Sequence, residues 1–345
     1  MRRQVSTLLE QSRKVIKDCT LSNGAIVAAN STKSYFPRGA KNYRFVWLRD
    51  ASYTLLAADL LGLKINSRFL SWCSKVKTEQ GLFYRYYLPD GKIAGEAIQP
   101  DQTAMLLIAM SKIKETRHQR LLERSADGIC GSWSKDHFNL VVQDLWEERY
   151  CFPDLKENFS YTLASCYQGL CCANSLSPHQ RWVKTAEQMK KLLLAKNKNY
   201  FPRTFGKIGD DRVDASLLGL TWPFEIVSST DKRMINTVRL MEQQLVRKGG
   251  VPRYEHDEYD GWMYKNMNRK KGAGYWPLLN FWMSIYFSKA GNKKKALQYY
   301  NRVLGDLTTD FIPEQIFDNK IQISVSPLCW SHTMFVLASK ELGFF

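Results

Sequence analysis

The sequence predicts an all-α fold, a closed double ring of helices or (α/α)6 barrel, and three observations predict it. Helical periodicity runs along most of the 345 residues, while strand-like alternation is scarce. Successive helical segments alternate between one that is apolar around its circumference and one that is amphipathic, as helices buried on all sides alternate with helices that cover a surface. The polar and aromatic clusters fall just before the apolar segments.

Start and stop signals give twelve helical segments, near 2–18, 49–62, 65–77, 101–113, 116–131, 158–174, 178–196, 213–220, 230–247, 275–289, 292–306 and 328–343. The first, within residues 1–20, is the first outer helix. The second, "ASYTLLAADLLG", the fourth, "QTAMLLIAM", and the sixth, "YTLASCYQGLCCA", are apolar nearly all round and are assigned to the inner ring. So are the eighth, "DASLLGLTW", the tenth, "YWPLLNFWMSIYF", and the twelfth, "LCWSHTMFVLAS". Between them "RWVKTAEQMKKLLLAK", "DKRMINTVRLMEQQLVRK" and "NKKKALQYYNRVLG" carry one apolar stripe each, as outer helices should. Strand-like pieces are limited to "GAIVAA" and "LFYRYYL". No Pro/Gly/Ser-rich linker interrupts the series, so residues 1–345 are expected to form one barrel domain with no separate carbohydrate-binding domain. An irregular helical domain or a helical-hairpin array is the alternative, and an array would repeat a motif at fixed period, which this chain does not do.

Composition narrows the function. Hydrophobic residues at 44% and charged residues at 24% suit a soluble globular protein, and 13% aromatic residues with ten Trp suit sugar or base platforms as well as a core. Fifty Lys and Arg against 33 Asp and Glu give +17, but the basic residues are dispersed and form no nucleic-acid-binding module, so no nucleic acid partner is expected. Eight Cys without regular spacing read as small buried thiols in a reducing compartment, not as a disulfide framework or zinc site, and no metal is expected. Glu10, Gln11, Lys14 and Lys17 break the N-terminal segment before a signal-type apolar run forms. No stretch approaches the roughly twenty apolar residues of a membrane span. A cytoplasmic protein without a membrane partner is the expectation; the oligomeric state is not legible.

The pre-helix clusters are "RFVWLRDAS", "AIQPDQT", "DLWEERY", "DDRVDAS", "PRYEHDEYDGW" and "DFIPEQIF". In a ring of alternating antiparallel helices all inner N-termini lie at one end, so these loops should surround one mouth, a natural ligand pocket. Two carboxylates flanking a substrate are the minimum equipment for hydrolysing a glycosidic bond, one protonated to donate to the leaving oxygen and one ionised to activate water or attack the sugar. The candidates are Glu147 or Glu148 on one side and Glu314 on the other. A glutamate crowded by Asp144 and a neighbouring Glu and desolvated by Trp146 should have its pKa raised by like charge and burial. Arg49 and Asp50 could grip sugar hydroxyls, and Trp47, Tyr254 and Trp262 could stack on ring faces. Helix capping is the competing account of Asp50, Asp101 and Asp214. His332, on the last inner helix, reads as a hydrogen-bonded core residue.

Taken together, "NYRFVWLRDASYTLLAADLLG", "DLWEER", "DASLLGLTWPF", "GGVPRYEHDEYDG" and "PEQ" with "SPLCWSH" resemble, in order, the motifs of the glucoamylase and glucodextranase family, glycoside hydrolase family 15, from about residue 20 to the C-terminus. The resemblance implies the (α/α)6 barrel, Glu147 as general acid, Glu314 as general base and Glu148 as a subsite residue. It implies that Arg49, Asp50 and Arg253 hold the terminal sugar. The expected sugar-binding set is Trp47, Arg49, Asp50, Asp101, Asp144, Trp146, Glu148, Arg253 and Tyr254, with no cofactor. The implied reaction is inverting, exo-acting hydrolysis that releases β-glucose from the non-reducing ends of α-glucan or α-glucoside oligosaccharides, maltose- or isomaltose-type. α,α-Trehalose hydrolysis and a non-catalytic glycan-binding or regulatory barrel are the alternatives. The chain departs from the family pattern in lacking the N-terminal β-sandwich of prokaryotic relatives, in the longer "YCFPDLKENFSYT" after "WEER", and in reading "GYWPLL" near Trp276.

Overall fold

The computed structural model describes residues 2–196, 198–261, 273–318 and 322–345. Its α-helices are α1 (Arg2–Cys19), α2 (Leu48–Leu60), α3 (Asn66–Cys73), α4 (Pro100–Lys112), α5 (Gln119–Gly131), α6 (Ser160–Leu176), α7 (Gln180–Lys196), α8 (Lys232–Leu240), α9 (Pro277–Lys289), α10 (Lys293–Asp306) and α11 (Cys329–Glu341). A 3-10 helix occupies Ala215–Leu220. The inner elements close on themselves: α2 packs on α4, α4 on α6, α6 on the 3-10 helix, that helix on α9, α9 on α11, and α11 back on α2. Outside them α1 packs on α11, α3 on α2, α5 on α4 and α6, α7 on α6, and α10 on α9. The double ring expected from the alternation is present.

Its cause is visible helix by helix. In α9 every residue from Pro277 to Phe287 is buried, whereas α7 buries only Trp182, Thr185, Ala186, Met189 and Leu193, a stripe at helical spacing. Each large apolar side chain buried this way stabilises the ring by about 1.5–3 kcal/mol. Small residues set how closely the inner helices approach. A Cβ on Gly169 of α6 would lie 3.0 Å from both the Cα and the carbonyl oxygen of Ala104 on α4.

Three expectations are corrected. "DASLLGLTW" forms a six-residue 3-10 helix, not an α-helix; Pro223 lies just beyond it, and a Cβ at Gly219 would meet the Phe224 ring at 2.7 Å, so the segment turns away early. The segment near 230–247 is α8 followed by a π-helical turn, Met241–Leu245. "GAIVAA" is extended but forms no ladder of its own: it holds a Thr20–Ile26 bridge, its Ala28 and Ala29 N–H groups donate to Phe45 and Tyr43, and its Ala28 carbonyl accepts from Cys329 N–H at 2.8 Å. "LFYRYYL" does hold a strand, β1 (Tyr84–Tyr87), antiparallel to β2 (Ile93–Ile98). A short hairpin joins β3 (Val142–Gln143) to β4 (Tyr150–Cys151), and β5 (Asn158–Phe159) pairs antiparallel with β6 (Thr204–Phe205), with α6 and α7 between them in the chain.

Candidate active site

Four of the six segments preceding the inner elements converge on one cavity, whereas "AIQPDQT" and "DDRVDAS" supply none of its wall. A cavity of about 450 Å³ is walled by Trp47, Arg49 and Asp50 from the start of α2, by Leu145, Trp146, Glu147 and Glu148 from the β3–β4 turn, by Arg253, Tyr259 and Trp276 ahead of α9, and by Glu314, Leu328 and Trp330 around the start of α11. Tyr86 of β1 and Lys41, Asn42, Tyr43, Phe45 and Ala28 complete it.

"DLWEERY" is therefore no surface helix: it is the tip of a hairpin. Asp144 shapes it by accepting hydrogen bonds at Oδ1 from the backbone N–H of Glu148 and Arg149, at 2.8 and 3.1 Å, while its other oxygen pairs with buried Arg203. The turn forces Glu147 to φ 66°, the left-handed region that costs an ordinary residue about 1–2 kcal/mol. The three acids can sit together because each has its own cation. Glu148 accepts from Arg253 Nη2 at 2.6 Å and from the Tyr254 hydroxyl. Glu147 accepts from Trp47 Nε1 at 2.6 Å and lies 3.6 Å from Arg85. Burial, more than like charge, raises the Glu147 carboxyl above the ordinary glutamate range, against the opposing pull of Arg85, Trp47 and Arg49.

Arg49 is 3% exposed and is aimed from behind: its Nη1 donates to Asp101 at 2.8 Å and to Gln99 at 3.3 Å, and its Nη2 to the Leu145 carbonyl at 3.2 Å. Asp50 lies 3.6 Å from its Nε, and burial pushes the Asp50 carboxyl up to about 7 despite that neighbour. Arg253 is clamped by Asp257 at 2.9 and 2.7 Å and packs among the rings of Trp146, Tyr259 and Trp276.

Glu314 stands on a loop fastened at several points. Its own N–H donates to the Val325 carbonyl, Gln315 N–H to Ser324 Oγ, and Ser331 Oγ to the Pro313 carbonyl, all at 2.8 Å. Ile312 N–H donates to His332 Nε2 at 2.9 Å, which leaves the proton on Nδ1, donating to Ser12 Oγ at 2.9 Å. His332 is thus the hydrogen-bonded core residue anticipated, and burial drives its pKa down to about 3. Burial pushes the Glu314 carboxyl up to about 7, opposed by Tyr43, Arg253 and Lys41. Glu314 Oε2 is buried and has no hydrogen-bond partner among the described residues.

Of the expected sugar-binding residues, Trp47, Arg49, Asp50, Trp146, Glu148 and Arg253 face the cavity beside Glu147 and Glu314. Asp101, Asp144 and Tyr254 do not. Asp101 is spent on Arg49, Asp144 on its own turn, and Tyr254 on Glu148, so all three are a layer back, holding residues that reach the wall. Asp214 was expected at the mouth or as a cap; it caps the 3-10 helix through Ser216 N–H at 2.8 Å and accepts from Trp146 Nε1 at 3.0 Å, behind the wall. Trp262 lies outside the described residues. The sequence reading passed over Lys41, Tyr43, Tyr86, Tyr259, Trp276 and Trp330 as wall residues. Each sits within or beside a quoted motif, and the aromatic residues before "WLRD" and within "EHDEYD" were the available signal.

A family model described as glycosyl hydrolases family 15 matches residues 73–340. The chain is 30% identical, over 91% of its length and 52% of the relative's, to an uncharacterised glycosyl hydrolase of Methanocaldococcus jannaschii, so it spans about half of that relative. It is 23% identical to the isomaltose glucohydrolase of Kribbella flavida, covering 97% of this chain and 92% of that one. It is also 23% identical to the trehalase of Mycolicibacterium smegmatis, over 86% of this chain and 49% of that one. A solved glycosidase superposes with a TM-score of 0.80 at 21% identity, covering 100% and 98% of the two chains. A bacterial glucoamylase complexed with acarbose superposes at 0.77 and 20% identity, covering 97% and 55%. With the barrel closed and four of the five motifs gathered in one cavity, the match across residues 73–340 leaves a plain conclusion: the chain belongs to glycosyl hydrolases family 15.

Proposed function

We propose that the protein is an inverting, exo-acting hydrolase of α-glucosides that releases β-glucose from the non-reducing end of a malto- or isomalto-oligosaccharide. The observation that carries the reading is the convergence of Glu147 and Glu314 on one cavity of about 450 Å³, beside a buried arginine and aspartate. In this reading Glu147 gives its proton to the glycosidic oxygen as the C–O bond breaks. Glu314, ionised, takes a proton from the water that attacks the anomeric carbon from the opposite face. Its unpartnered Oε2 is a ready acceptor. Arg49 and Asp50, with Arg253 and Glu148, hold the terminal sugar, and Trp47, Trp146 and Trp276 offer ring faces to it. Eight free cysteines support a reducing, cytoplasmic setting, and no described helix is long and apolar enough to cross a membrane.

Trehalose is the second substrate to test, because trehalases stand among the relatives. Glucose release from maltose, isomaltose and trehalose, with the anomer followed by NMR, decides. The expected result is β-glucose as first product from wild type, with turnover lowered roughly 10²–10⁴-fold in Glu147→Gln and Glu314→Gln. Release of α-glucose would overturn inversion. Sugar binding without turnover would turn the reading to a glycan-binding barrel.

A further inference from the structure

The two carboxyl oxygens of Glu147 are held differently. Trp47 Nε1 donates to Oε1 at 2.6 Å, whereas Arg85 Nη1 stands 3.6 Å from Oε2, an ion-pair distance beyond hydrogen-bond reach. Oε2 is therefore the oxygen left open to carry a proton, and a cation already faces it when that proton has gone. Arg85 makes no other ion pair among the described residues, and its buried Nε has no hydrogen-bond partner among them.

The β1–β2 hairpin delivers this cation. Val46 and Tyr87 exchange backbone hydrogen bonds of 2.8 and 3.0 Å, so Trp47 and Arg85, the two groups that hold Glu147, ride on one stitched pair of segments. The Arg85 carbonyl accepts from Gln102 Nε2 at 3.0 Å, which ties its backbone to α4. Its guanidinium lies 4.8 Å from the centre of the Tyr86 ring, and that ring packs on Trp47 with centroids 4.7 Å apart. Gly95, opposite Tyr86 on β2, leaves the room for this stack: a Cβ there would lie 2.7 Å from both Arg85 Nε and the Tyr86 ring.

We propose that Arg85 is a positioning residue for the acid: its guanidinium faces Glu147 Oε2 so as to stabilise the carboxylate that forms as the proton passes to the leaving oxygen. The proposal rests on Glu147 being the acid. Glu147 loses one proton to the glycosidic oxygen as the C–O bond breaks, and the charge left on Oε2 meets Arg85. Burial alone would make Glu147 a weak proton donor, and the adjacent cation opposes that effect. The other titratable groups facing Glu147 are Arg49 and Asp50 of α2, Asp144 of its own hairpin, Lys41 and Tyr259. Of the cations, Arg49 is paired with Asp101 and Asp50, and Lys41 is shared with Glu314.

The test is a ¹³C-carboxyl NMR titration of the full chain, with the Glu147 and Glu314 signals assigned by their loss in Glu147→Gln and Glu314→Gln. In Arg85→Gln the Glu147 midpoint should rise by roughly 0.5–1 pH unit while Glu314 stays nearly still, and Arg85→Lys should bring Glu147 back toward wild type. Activity needs a protonated Glu147, so the alkaline limb of kcat/KM should move up with that midpoint. Below the limb, turnover of the disaccharide hydrolysed fastest should fall about two- to tenfold in Arg85→Gln. Hydrolysis of p-nitrophenyl α-glucoside, whose leaving group needs little protonation, should hold. An unmoved Glu147 midpoint in Arg85→Gln overturns the proposal, and so does an equal loss on both substrates. Wild-type turnover in Glu147→Gln would instead sink the acid reading, which the titration leaves separate.

Discussion

At the scale of single residues, the site shows how an acidic cluster is made affordable. Asp144, Glu147 and Glu148 are adjacent in sequence yet face Arg203, Arg85 and Arg253 respectively. Asp144 touches nothing in the cavity, but it accepts the two N–H groups that hold Glu147 in its left-handed conformation. Asp144→Ala should therefore destabilise the fold by about 3 kcal/mol, since it also removes a buried partner of Arg203. It should also lower kcat at least tenfold by releasing Glu147. Urea denaturation beside initial rates checks both; unchanged rates would show that the turn keeps Glu147 in place without it. Pattern and resemblance named four of the six loops correctly and placed eight residues in the wall. They could not tell wall from backing, because Asp101, Asp144 and Tyr254 look the same in sequence as the residues they support. The difference is which way each side chain points from its loop, and that is set by partners far along the chain.

At the scale of elements, the inner ring depends on close approach where small residues meet. Gly169 and Ala104 bring α6 and α4 together with no room for a larger side chain. Gly169→Leu should cost about 3 kcal/mol or more in urea denaturation, at the upper end of overpacking penalties, whereas substitutions on the exposed face of α7, such as Lys184→Ala, should cost under about 0.5 kcal/mol. A Gly169→Leu protein as stable as wild type would mean that the two helices slide apart freely. Helix existence was legible because periodicity records burial locally: α4 and α9 are apolar all round and lie inside, and α7 is striped and lies outside. The 3-10 helix Ala215–Leu220 was misread as α because its composition is that of a buried helix, while its length is limited by Pro223 and by contacts of Gly219 with Phe224. The β3–β4 hairpin escaped because two-residue strands carry no period to detect.

At the scale of the whole molecule, Asp50, Glu314 and His332 lead the pH dependence of stability, and Glu147, Asp101 and Asp214, also raised by burial, act in the same sense as Asp50. Asp50 and Glu314, both held near 7, bind protons in the folded chain before the unfolded one does, so they stabilise fully at low pH and that stability is lost as pH rises toward 7. His332, held near 3, acts oppositely: its contribution is present above about 6.5 and is lost as pH falls. Between pH 6.5 and 4.5 Asp50, Glu314 and His332 hold about two protons in the folded chain and about one in the unfolded chain, so stability should rise by about 1 kcal/mol per pH unit on acidification. Below about pH 4 it should fall, as carboxylates held low by arginines, such as Asp210 near 2, become protonated. Urea denaturation across this range, in salt sufficient to screen the +17 self-repulsion, tests the sign. Asp50→Asn should flatten the rise, and a stability that falls steadily from pH 6.5 would overturn the assignment. The sequence by itself determined the ring, the order of its helices and the loops that carry the chemistry, because burial and capping leave local, periodic marks. Only the tertiary structure decided which side chains enter the cavity, which brace them and where each proton rests. Those depend on pairs such as Lys41 with Tyr259, 218 residues apart, whose meeting is fixed by closure of the ring and leaves no local mark in the sequence.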